Sequence, residues 1–142
     1  MKIQLALGAT LIAFSTGTGA EASIAGTYRH TYRVPSHPIH SNSKFYRTIQ
    51  IHGLTKDSAI LTVEMLEATA GSSCAGHITG KARREGSALT LVASEPREGL
   101  TCSVVVMVAD QKASVVSERF CSEWHGVGCD FEGSIVNLKR VR

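Results

Sequence analysis

The residues best equipped for chemistry lie together in Cys121–Gly133, CSEWHGVGCDFEG, which holds two of the four cysteines, the single tryptophan Trp124, and His125. Cys121, His125 and Cys129 recur at i, i+4 and i+8, a spacing that converges on one helix face and would suit a metal ligand set. The same cysteines can instead close a disulfide around a glycine-rich turn if their Cβ vectors meet. Gly126 and Gly128 disfavour a sustained helix, and the start of the chain points to an oxidising compartment. The stretch therefore reads as a stapled loop presenting Trp124 and His125, not as a metal site.

Other combinations are thinner. His37 with His40, and Cys74 with His77, offer only pairs where a first-row metal needs three or more converging ligands. A Cys–His nucleophile needs a free thiolate, which paired cysteines do not supply. Glu64 and Glu67 have no acid–base partner in the sequence. No P-loop, dinucleotide fingerprint, HExxH or GxSxG motif occurs. These residues predict no enzyme, no cofactor and no metal.

Met1 and Lys2 lead into the apolar run Ile3–Phe14, and then into the small residues Ser15–Ala20. This is the pattern of a secretory signal peptide, too short to remain as a spanning helix. Residues 1–22 read as the signal and 23–142 as one domain of roughly 120 residues. The expected address is the periplasm, without stable membrane insertion. An even set of cysteines in an exported chain implies two disulfides, expected here as Cys74 with Cys102 and Cys121 with Cys129. The net charge is +3, from 15 Lys and Arg against 12 Asp and Glu. It lacks the long basic run that nucleic acid would require.

These side chains must be positioned by strands. Gly26–Val34, Phe45–His52, Ala59–Leu66, Cys74–Arg84, Ala88–Ala93, Thr101–Ala109, Ala113–Glu118 and Gly133–Lys139 are short runs with alternating or continuous apolar character, separated by turns. In the second run Phe45, Arg47, Ile49 and Ile51 share one face, and Tyr46, Thr48, Gln50 and His52 share the other. Ser58–Ala70 also carries helix formers, but Thr62–Val63 at its centre favours strand. Gly76 and Gly80 inside a strand mark a bulge, a bend or a close backbone approach. The expected fold is all-β, a small antiparallel barrel or sandwich of about eight short, disulfide-stapled strands.

Ser41-Asn42-Ser43-Lys44-Phe45, followed by Tyr46, is similar to the serine-containing loop of the exported inhibitors of c-type lysozyme in Gram-negative bacteria, although it lacks that loop's glycine. The export signal, size and disulfides resemble the same family. The resemblance implies an eight-stranded barrel that plugs the lysozyme cleft with a polar loop, host lysozyme being the protein partner. It implies binding residues Ser41, Ser43, Lys44 and Tyr46, with Trp124 and His125 as further contacts from the stapled loop. The alternative is a periplasmic binding protein for a small ligand or wall polymer, with a concavity inside the barrel lined by Tyr28, Tyr32 and His52. A homodimer would follow if Thr101–Ala109 left apolar surface uncovered.

Overall fold

The computed structural model describes residues 23–34, 43–69, 72–95 and 98–142. The expected signal peptide, Ser41 and most of the loop around it lie outside these. Eight strands form, the first seven where the sequence pattern predicts: β1 (Gly26–Val34), β2 (Ser43–His52), β3 (Ser58–Thr69), β4 (Ser72–Glu85), β5 (Ala88–Glu95), β6 (Leu100–Ala109), β7 (Lys112–Arg119) and β8 (Leu138–Arg140). Two single-turn helices separate the last two strands, α1 (Ser122–His125) and α2 (Phe131–Ser134). The strand reading of Ser58–Ala70 holds over Ser58–Thr69.

Each strand pairs antiparallel with the next, and odd-numbered β2 and β3 residues Ile49, Ile51, Leu61, Val63 and Met65 face the interior with Tyr28, Ile78, Leu89, Leu91, Val104, Val106 and Val115. Burying this face is the main force that holds the sheet together. Turn chemistry sets the register. Gly86 takes a positive φ between β4 and β5, and Asp110 and Gln111 both do so between β6 and β7, the geometry a tight hairpin needs to match strand twist. The Arg140 N–H donates to the Gln111 carbonyl at 3.0 Å and so fastens that turn. The β3–β4 ladder runs unbroken past Gly76 and Gly80. Those glycines therefore mark close approach, and the bulge falls instead at Val105/Val106 opposite β7.

The ring of pairings returns from β8 to β1, but the seam is narrow. β8 meets β1 only at Tyr28↔Arg140 and Arg29↔Lys139, and meets β7 only at Lys112↔Lys139 and Ala113↔Leu138. Further along β7 the neighbour is the segment around α2, where the Glu118 N–H donates to Glu132 and the Val115 N–H to the Ile135 carbonyl. The expected all-β fold of about eight antiparallel, disulfide-stapled strands stands, and of its two forms, barrel or sandwich, the barrel is corrected: the sheet is folded over on itself, sandwich-like, and clasped at one end rather than closed along its height. The expected last strand, Gly133–Lys139, is corrected as well. Asp130 caps α2 by accepting the Gly133 N–H, and Asn137 in the left-handed region turns the chain before β8 begins.

The cysteine pairing differs from expectation. Cys74 bonds Cys129, Cys102 bonds Cys121, and no cysteine is free. Register explains both. Ser103 pairs with Arg119 across β6 and β7, so Cys102 and Cys121 lie beside each other at the end of that ladder. The 121–131 segment then crosses over β4, where a Cβ on Gly76 would stand 2.8 Å from His125 Cβ and 2.7 Å from Phe131 Cε1. That crossing carries Cys129 to Cys74.

Candidate functional site

On the outer face, strand register aligns Arg29, Thr48, Glu64 and His77 in one row across β1–β4, and Thr31, Tyr46, Leu66 and Ala75 in the next. Neighbouring strands lie about 4.8 Å apart, so the first row spans roughly 14 Å. Arg29, Thr31, Tyr46, Thr48 and Glu64 line a hollow of about 200 Å³. Tyr46 and Glu64 also line a second hollow of about 330 Å³, which continues past Gly76 and His77 to Trp124. Together they form a trough with an arginine at one end and the tryptophan at the other.

Thr48 is the unusual member. It points outward by parity, yet it is 1% exposed, and its Oγ1 has no hydrogen-bond partner among the described residues. A buried hydroxyl left unmatched costs about 1–3 kcal/mol. The carboxylate next to it in the row is already engaged, since Glu64 Oε1 lies 3.0 Å from His77 Nδ1. Thr62 and Thr79, in the row beyond, satisfy each other at 2.7 Å.

Trp124 is held in place by what surrounds it. Its backbone N–H donates to the Cys121 carbonyl at 2.8 Å, and the next residue is anchored on two sides. His125 is buried, with Nδ1 2.8 Å from the Gly126 carbonyl oxygen, Nε2 2.8 Å from Glu118 Oε1, and its ring edge-on to Phe131. Its place is to support the trough wall. Of the residues expected to bind, Tyr46 and Trp124 border the trough. Ser43 and Lys44 lie in β2, paired with Val34 and Arg33. Sequence reasoning does not mark Arg29, Thr48, Glu64 or His77 as binding residues. Their one signal is outward parity in adjacent strands.

Protein-family models, characterised proteins and solved structures give no match to this chain. The cleft-plugging barrel is corrected by the fold, while Ser41 and most of its loop lie outside the described residues. The sheet is clasped at one end only, Ser43 and Lys44 belong to a paired strand instead of a projecting loop, and His125 is buried. Inhibition of lysozyme, and lysozyme as partner, are therefore not carried forward. The interior concavity is corrected too. Tyr28 is packed in the core, and His52 stands exposed on the opposite face of the sheet from it. All four cysteines are oxidised in pairs, so the metal set of Cys121, His125 and Cys129 has no thiolate. Among the described residues no helix is long and apolar enough to cross a membrane.

Proposed function

We propose that this chain is an exported binding domain, resident in the periplasm, that holds a saccharide in the trough on the outer face of β1–β4. The observation that supports it most is Thr48, a buried hydroxyl without a partner at the floor of a groove. A ligand hydroxyl can supply the missing bond, with a small rotation of the Thr48 side chain bringing Oγ1 to it. Sugars match the rest of the lining. Their hydroxyl edges exchange hydrogen bonds with Glu64, Thr31 and His77, while their C–H faces lie against Tyr46 and Trp124, rigid aromatics that order at low entropy cost. Export rests on the pattern of the first 22 residues, and it accords with two disulfides in a small domain.

The domain binds and does not catalyse in this reading. Among the described residues, Glu64 is the only carboxylate lining the trough, whereas glycoside hydrolysis ordinarily needs two.

Thr48→Val tests the proposal through two readouts, stability and binding. Valine keeps the shape and removes the unmatched hydroxyl, so the free protein should become more stable by about 1 kcal/mol. Binding of neutral and acidic oligosaccharides, followed by backbone amide and Trp124 indole shifts in NMR titrations, should weaken about tenfold. Saccharides that leave the trough resonances unmoved, or a variant that binds as well as the parent, would remove this reading.

A further inference from the structure

We infer, on the basis of that reading, that the trough selects an acidic saccharide and fixes its direction, with Arg29 taking a sugar carboxylate and Glu64 facing a neutral ring. Arg29 is exposed and makes no hydrogen bond or ion pair with any described residue. Arg47, Arg84 and Arg140 are each committed, to Glu67, to the Gly86 and Thr55 carbonyls, and to the Ser23 and Ala25 carbonyls. Glu64 does not pair with Arg29: their backbones lie two strands apart, roughly 10 Å, and Glu64 Oε1 is with His77 at 3.0 Å. The guanidinium fork is therefore open to a planar carboxylate, which it can grip through two parallel N–H bonds.

The opposite charges at the two positions also orient the ligand. A carboxylate is attracted at the Arg29 end and repelled at the Glu64 end, and Thr48 lies between them in the same row. A chain in which an acidic sugar is followed by a neutral one satisfies both. Free small anions satisfy only the first.

The ligands that decide it are a glucuronate–N-acetylglucosamine tetramer, the same tetramer with its carboxylates methyl-esterified, and acetate, each titrated calorimetrically into the full domain. The acid should bind at least tenfold tighter than the ester, with the advantage shrinking as salt rises, and acetate should bind far more weakly than either tetramer. Arg29→Gln should erase the difference between acid and ester while leaving the unfolding midpoint unchanged, and Arg29→Lys should restore part of it. Equal affinities for acid and ester, a preference that survives Arg29→Gln, or acetate binding as tightly as the tetramer would overturn the inference and leave saccharide binding standing. If neither tetramer binds, the inference falls together with the reading beneath it.

Discussion

His125 and Glu118 meet at 2.8 Å across the gap between α1 and β7, and the second oxygen of that carboxylate accepts the backbone N–H groups of Phe131 and Glu132. One side chain thus joins β7 to both short helices. Neither helix is long enough to be stable alone, so this junction and the disulfides hold the segment that carries Trp124. Glu118→Ala should destabilise the domain by about 1–3 kcal/mol, because it leaves the buried His125 Nε2 and the Phe131 and Glu132 N–H groups without their partner. Urea unfolding followed by Trp124 fluorescence measures it. An unchanged midpoint would show that the junction contributes nothing.

The disulfides should differ in weight. Cys74–Cys129 spans 55 residues and Cys102–Cys121 spans 19. In the chain-entropy description, opening them with paired alanines costs about 4 and about 3 kcal/mol respectively. Peptide mapping without reduction should recover Cys74 with Cys129 and Cys102 with Cys121. A Cys121–Cys129 peptide would contradict the register that brings these strands together.

The sequence made the first seven strands legible because apolar alternation or continuity survives in them, and because Gly86-Ser87 and Asp110-Gln111 stand where tight turns are needed. The outward set Tyr46, Thr48, Gln50 and His52 was likewise readable from period alone. The trough was not, since it exists only once register sets Arg29, Glu64 and His77 beside Thr48, and register is a long-range property. The cysteine pairing failed for a related reason. Proximity in the chain favoured Cys121 with Cys129, whereas the crossing over Gly76 that decides their partners is made by two four-residue helices, too short to leave a periodic signal.

Gly76 and Gly80 offer a paired test of that crossing. A Cβ at Gly76 would press on Phe131 and on His125 Cβ, both buried, whereas at Gly80 it would meet only the Leu91 Cδ1 tip at 3.0 Å. Gly76→Ala should therefore cost about 1–3 kcal/mol through overpacking, and it should also disturb Trp124 fluorescence. Gly80→Ala should cost less, because a methyl tip can turn aside. Equal costs, measured by thermal unfolding, would mean that the 121–131 segment does not bear on β4 as described.

Alkaline pH tests the core at Tyr28. Its hydroxyl donates to the Ile24 carbonyl at 2.9 Å. Burial pushes its ionisation above the usual value for tyrosine, and the nearby Arg140 guanidinium offsets part of that rise. The unfolded chain releases this proton first, at about pH 10, so between the two values the folded state binds more protons and stability falls as pH rises. The contribution is fully present below about pH 10 and is lost as pH climbs through the folded-state value. Tyr28→Phe should lower stability at pH 8 by about 1 kcal/mol, the worth of one hydrogen bond, and should flatten the decline from about pH 9 to about pH 11. Lysines and the other tyrosines titrate in both proteins, so the difference in slope isolates Tyr28. With no free thiol among the four cysteines, disulfide exchange has no internal initiator over that range. Parallel declines in urea midpoint for the two proteins would show that Tyr28 ionises as readily in the fold as outside it.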